Sequence, residues 1–212
     1  MFHRLLCISA VAWTAAAHAA AVEIAVVDQH GKPEANAVVA LAQDAGQVSP
    51  RAPARNVIDQ QHETFIPLVV VVRKGGEVVF TNNDTTMHQV YSFSAIKQFQ
   101  FEIDRATISK PVTFEKPGIA AIGCNIHDSM VAYVFVADQP FAAVSDAGGR
   151  VAFHDVPDGA WHASVWHPAL KVGPPPSPVA LQVAGGNAKL TLTAPLGASA
   201  SPAMSRMHKS DY

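Results

Sequence analysis

The sequence predicts an all-β fold of many short strands, a β-sandwich or barrel. Three observations predict it. Apolar residues recur at every second position in short runs, and helical periodicity is scarce. The runs are punctuated by 15 Pro and 13 Gly, which favours many short elements over long helices. Charged residues make up only 15% of the chain and apolar ones 49%, enough to build a core; 212 residues suit one large β domain or two small ones.

The elements follow in order. Residues 22–28 alternate and end in the turn Gln29-His30-Gly31-Lys32-Pro33. A short strand at 37–41 follows, then a loop over 45–55 containing Gly46, Pro50 and Pro53, then a strand at 56–59. Residues 65–72 are β-branched, and Pro67 near their start places that strand at an edge. Lys74-Gly75-Gly76 turns the chain into a strand at 77–81, and Asn82-Asn83-Asp84 turns it again. Strands are expected at 87–93, around Phe99, Phe101 and Ile103, and at Val112 and Phe114. After Lys116-Pro117-Gly118 come 119–123, running into Cys124, and a buried type at 131–137. Beyond them lie 144–153 with the turn Asp146-Ala147-Gly148-Gly149, the turn Pro157-Asp158-Gly159, and the alternating run 160–166. Gly173-Pro174-Pro175-Pro176 reads as a polyproline loop. Residues 179–183 and 188–192 read as a closing hairpin around Gly185-Gly186-Asn187, and 196–212 as a disordered tail.

Residues 1–19 read as a secretory signal. A basic start ending at Arg4 precedes an apolar run and the small residues Ala17, His18 and Ala19. The apolar run is too short to span a bilayer, and no later segment reaches the roughly 20 apolar residues of a membrane helix. Cleavage is expected after Ala19; a cut after Ala17 would instead leave His18 as a copper-chelating N-terminus. Cys7 comes too early to be a lipoprotein cysteine. The mature chain is then an exported protein of the periplasm with no membrane span. A formal net charge of −2 excludes the basic footprint of a nucleic-acid binder.

Removal of the leader leaves Cys124 as the one cysteine. In an oxidising compartment such a thiol is deeply buried, paired between chains, or held by a metal. Its neighbours bear on that choice. Cys124, His127 and Met130 lie within seven residues, between two strands. Thiolate and thioether are soft donors and imidazole is borderline, a set that suits copper better than zinc or calcium. A copper site that exchanges electrons needs a second imidazole, and His88, just beyond the turn at 82–84, stands in a strand able to lie beside the one ending at Cys124.

The stretch from Phe65 to Asp84, then His88, then Gly123 to Met130 resembles the cupredoxins, in the order found in plastocyanin, pseudoazurin and amicyanin. C-x-x-H-x-x-M is the short ligand loop of amicyanin. The chain also resembles bacterial proteins labelled as methylamine utilisation proteins. The resemblance implies a Greek-key β-sandwich over 55–137 and one mononuclear type 1 copper. His88 and His127 would be nitrogen ligands, Cys124 the thiolate and Met130 the axial ligand. It implies a single-electron carrier, not an enzyme, with an unidentified periplasmic redox partner. A copper-binding or delivery protein and a non-metal β-sandwich interaction module are the other readings. The sequence departs from the family at Gln89, where an Asn usually bonds back to the ligand loop, and at Ile122, where an aromatic is frequent. Asn125-Ile126 and Asp128-Ser129 replace Pro-rich flanks, which puts an acid beside the edge where electrons leave. Met87, beside His88, is expected to point the other way and serve packing.

The flanks resemble a carboxypeptidase-regulatory-like or Cna-B-like sandwich. Residues 22–41 look like its opening two strands, and the continuation appears only at 145–165. Residues 22–48 and 138–195 are therefore expected to form one discontinuous sandwich with the cupredoxin inserted, tandem order being the alternative. The nested arrangement requires 22–27 to pair with strands beyond Asp138. His154, His162 and His167 gather here and are read as surface or hydrogen-bonded histidines ahead of a second metal site. Met204, Met207 and His208 have soft-ligand spacing within the tail, and Asp59 with His62 suggests a hydrogen-bonded loop.

Overall fold

The computed structural model describes residues 19–43 and 55–197. The predicted signal segment apart from Ala19, most of the loop at 45–55, and the tail with Met204, Met207 and His208 lie outside the described residues. Among the described residues there is no helix, and none long and apolar enough to cross a membrane. The fold is all-β, as the alternation predicts.

Seventeen strands are described. They are β1 (Ala19–Val27), β2 (Val38–Gln43), β3 (Arg55–Gln61), β4 (Thr64–Ile66), β5 (Val69–Arg73), β6 (Gly76–Asn82), β7 (His88–Ser94), β8 (Lys97–Ile103) and β9 (Thr107–Ile108). There follow β10 (Val112–Phe114), β11 (Gly118–Cys124), β12 (Val131–Ala137), β13 (Phe141–Val144), β14 (Arg150–Pro157), β15 (Gly159–Trp166), β16 (Val179–Val183) and β17 (Ala188–Thr193).

Four sheets enclose two hydrophobic cores. One sheet runs β5-β12-β11-β7-β8 and faces β10-β6-β3-β4, with β9 added to β6. Their core holds Ile58, Phe65, Phe80, Val90, Phe114, Ile122, Cys124, Met130 and Val134. Phe80 is fully buried and meets Phe65, Phe99 and Phe101 at centroid distances of 6.5, 5.9 and 5.6 Å, within the range of favourable aromatic pairs. The second core lies between β14-β1-β17 and β13-β2-β15-β16. It holds Ile24, Leu41, Phe141, Phe153, Trp161, Leu181 and Leu192. Trp161 sits there fully buried, its ring 5.5 Å from Phe141 and its indole N–H donating to the Pro157 carbonyl at 3.0 Å.

β1 pairs antiparallel with β14, from Ala19↔Pro157 to Ala25↔Arg150, and parallel with β17, from Val22↔Ala188 to Val27↔Thr193. Residues 22–27 therefore pair with strands beyond Asp138. β13 pairs with β2, setting Phe141 opposite Leu41. Gly149, the last residue of the turn at 146–149, has φ +71° and lies against β1, and a Cβ there would stand 2.5 Å from the Val26 carbonyl oxygen; only glycine fits so close an approach. Trp166 on β15 packs against Tyr133 and Phe135 on β12, at 5.5 and 6.0 Å, where the two sandwiches touch.

Three expectations are corrected. The predicted hairpin of 179–183 with 188–192 does not form: β16 pairs with β15, and β17 crosses to the other sheet and pairs with β1. Leu181 and Val183 on β16 and Leu192 on β17 all enter one core, so the connection arches over it from sheet to sheet. Residues 65–72 are not one strand. They break at Pro67, β4 pairing with β3 and β5 with β12, each at the edge of its sheet; the Ile66–Pro67 bond is cis. Leu196 and Gly197, expected to be disordered, are held: the Leu196 N–H donates to Gln29 Oε1 at 2.8 Å and Gly197 N to the Ala169 carbonyl at 2.9 Å.

Candidate metal centre

β7 and β11 pair antiparallel, with Val90 opposite Cys124. That register brings His88, the first residue of β7, to the end of β11 where Cys124 stands. His88 is fully buried and Cys124 nearly so. The chain then turns through Asn125–Ser129 before β12, and this loop places His127 over the same point. Met130 N–H donates to the His127 carbonyl at 3.0 Å, closing the turn, and the Met130 side chain is buried in the same core as Cys124.

The donor atoms converge. His88 Nδ1 is 3.6 Å from Cys124 Sγ and 3.3 Å from His127 Nδ1. All three residues offer a ligand atom within 4.8 Å of the others. Those separations are what donors show when they share one small cation roughly 2.0–2.3 Å from each. Among the described residues His88, Cys124 and His127 form the one cluster of three His, Cys, Asp or Glu donors this close; His154, His162 and His167 form none. His167 is engaged otherwise: its Nε2 meets the Ala35 carbonyl at 3.1 Å and its Nδ1 accepts from Ala169 N at 3.0 Å.

Sequence reasoning missed what stands behind the imidazoles. His88 Nε2 lies 2.9 Å from Asp84 Oδ2, and His127 Nε2 lies 3.4 Å from Glu63 Oε1. Asp84 in turn accepts from the backbone N–H of His62 at 2.5 Å and of Glu63 at 3.0 Å. Burial works to raise the Asp84 carboxyl, but hydrogen bonds from Glu63 N, His88 and His62 N outweigh it and hold the group below the usual carboxylate range. Asp84 is therefore an acceptor facing His88 Nε2, and the Glu63 carboxylate faces His127 Nε2. The two Nδ1 atoms face one another at 3.3 Å, beside the Cys124 sulfur. An electron-pair acceptor satisfies all three at once. Two imidazoles, a thiolate and a nearby thioether are the donors that copper takes in electron-transfer sites, so the residues present fit one copper ion.

The loop is also tied to β7 through Gln89. Asn125 N–H donates to the Gln89 carbonyl at 3.0 Å, and Asn125 Nδ2 to Gln89 Oε1 at 2.7 Å. Gln89 therefore makes a bond to the ligand loop itself. Asn82 is fully buried and closes the β6–β7 loop: its Nδ2 donates to the carbonyls of Thr86 at 2.8 Å and Ile103 at 3.0 Å, and its Oδ1 accepts from Asp84 N at 2.9 Å. Asp59 and His62 do not bond each other. Asp59 accepts from Thr81, Asn83 and Gln61, and His62 serves through its backbone. Met87, in the loop just before β7, is 41% exposed, against 0% for His88. The outer rim of the site carries Ile126, exposed, with Asp128 and Ser129.

No family model matches the chain, and no curated protein matches it. Solved structures do. A reduced Cu(I) amicyanin variant is 16% identical over 44% of this chain and 87% of its own, with a TM-score of 0.36. Amicyanin from Paracoccus versutus is 17% identical over 46% of this chain and 91% of its own, with a TM-score of 0.35. A purple cupredoxin from Nitrosopumilus maritimus is 22% identical over 38% of this chain and 96% of its own, with a TM-score of 0.33. At that level of likeness the site stands on its own geometry.

Proposed function

We propose that this chain is a periplasmic type 1 copper protein that carries single electrons. The observation behind the reading is the convergence of His88 Nδ1, Cys124 Sγ and His127 Nδ1 on one point. Met130 is assigned as the axial ligand from its buried place in the same core. A bound copper would supply the redox couple. The protein's part is to hold the donors in one arrangement, so that little moves when the charge on the metal changes. Four protein ligands leave no position for a substrate, which favours a carrier over an enzyme. Residues 55–137 are assigned as the copper-holding sandwich, inserted into a discontinuous one made by 22–48 and 138–195, and residues 1–19 as the export signal. The partner is an unidentified periplasmic redox protein; the resemblance to methylamine utilisation proteins points to an amine-oxidising system.

The test is to add Cu(II) to the purified chain lacking residues 1–19. One equivalent should bind and give intense visible absorption from thiolate-to-copper charge transfer, bleached by a reductant and restored by an oxidant. Cys124→Ser should abolish the colour and leave the fold intact. Colourless Cu(I) binding without reversible cycling would replace the carrier by a copper-handling protein. Absence of stoichiometric copper would leave an interaction module.

A further inference from the structure

The two carboxylates behind the imidazoles are joined through one piece of backbone. β3 and β4 are connected by His62 and Glu63 alone, and both have positive φ, 50° and 55°. A two-residue turn of that hand matches the twist of paired strands, but it normally takes Asn or Gly. A non-glycine residue there carries a conformational cost, and strain of this kind concentrates where a site depends on it. The turn aims the N–H groups of His62 and Glu63 at Asp84, one to each carboxylate oxygen. The same Asp84 Oδ2 meets His88 Nε2. The Glu63 side chain reaches from the turn to His127 Nε2. One hairpin tip therefore braces both nitrogen ligands, directly through Glu63 and indirectly through Asp84. The two braces differ in firmness: Asp84 is 11% exposed and 2.9 Å from its histidine, whereas Glu63 is 58% exposed and 3.4 Å from its own.

We propose that Asp84 and Glu63 are positioning residues that fix His88 and His127 with Nε2 protonated and Nδ1 free, and that their charge favours cupric over cuprous copper. The second half rests on the copper reading above; the first does not. A carboxylate hydrogen-bonded to the far nitrogen of a ligand histidine sets the ring's tautomer and orientation and makes the near nitrogen more basic. Negative charge so close stabilises the ion of higher charge, so the site is poised toward the oxidised form.

Two measurements test this. In the metal-free protein, nitrogen NMR at alkaline pH should find neutral His88 with its proton on Nε2. A proton on Nδ1 would overturn the proposal whether or not the chain binds copper. In the copper-loaded protein, Asp84→Asn should lower the ratio of Cu(II) to Cu(I) affinity at least tenfold. That is the low end of what losing a hydrogen-bond partner of a ligand histidine costs, and it equals about 59 mV of upward shift in potential for a one-electron couple. Glu63→Gln should move the ratio the same way and by less. Asp84→Glu, which keeps the charge, should stay near the parent. A ratio within about twofold of the parent in Asp84→Asn, with a lowered unfolding temperature, would make Asp84 a turn-closing residue only and overturn the electrostatic half. If the parent takes up no copper, the function proposed above fails while the tautomer result still decides the positioning role. If Asp84→Asn does not fold, Glu63→Gln and the parent's tautomer decide in the same way.

Discussion

Asn82→Ala separates the loop that presents the site from the core that supports it. The amide makes three hydrogen bonds inside the protein: two donated to the carbonyls of Thr86 and Ile103, and one accepted from Asp84 N. Each such bond contributes about 1 kcal/mol net, and a partner left buried without a replacement costs about 1–3 kcal/mol. Thr86 is exposed, so water can take over its carbonyl. Ile103 is 3% exposed, so its carbonyl is the one left stranded. The expected loss is about 3 kcal/mol. Urea unfolding of the metal-free protein reads it as a midpoint lower by roughly 1.5 M, for a slope of about 2 kcal/mol/M. Asn83→Ala is the control. Asn83 is exposed and its side-chain amide bonds Asp59, so loss of that side chain should cost under about 1 kcal/mol. Equal effects at the two positions, or a loss below about 1 kcal/mol at Asn82, would refute the claim that buried amide bonding shapes this loop.

Two further predictions concern the second sandwich. Trp161→Ala should destabilise the protein by about 3–5 kcal/mol, the range for deleting a large buried aromatic, as measured by denaturant unfolding; a loss under about 1 kcal/mol would mean that Trp161 is not the centre of that core. His167 gives a pH dependence. Burial depresses its pKa below 6.5, opposed by the Ala35 carbonyl and the charge of Glu34. The neutral ring also suits both its bonds, since a protonated Nδ1 could not accept from Ala169 N. The unfolded chain binds that proton first, so the stabilisation is complete above about pH 6.5 and declines as pH falls through the folded value. Unfolding temperatures measured across that window should fall in the parent and flatten in His167→Gln.

The donor residues of the candidate centre are legible because they are chemically unusual neighbours. Cys124, His127 and Met130 are close in sequence, and His88 had to come from an adjacent strand. Asp84 and Glu63 were not legible. Asp84 sits in a segment whose composition announces only a turn, and Glu63 follows a histidine where a hairpin of that hand ordinarily shows Asn or Gly. Their role exists only once β3, β4 and β7 are assembled. Strand existence was read well from alternation, and strand partners less so. Residues 179–183 and 188–192 have the pattern of an inward-facing strand either way, because a hairpin and an arch bury the same alternate side chains. Pro67 signalled an edge correctly, but a single proline does not reveal that the chain leaves one sheet and enters another.

The pairing of β1 sets an order on assembly. Its two neighbours, β14 and β17, belong to the last third of the chain, whereas β3 through β12 find their partners among themselves. A polypeptide emerging from its amino end can finish the inner unit while the first strand still waits, and contacts so distant in sequence are slow to close. The molecule is sealed last at the place where it begins, and a chain that stopped short of β17 would leave that opening strand with one bare flank.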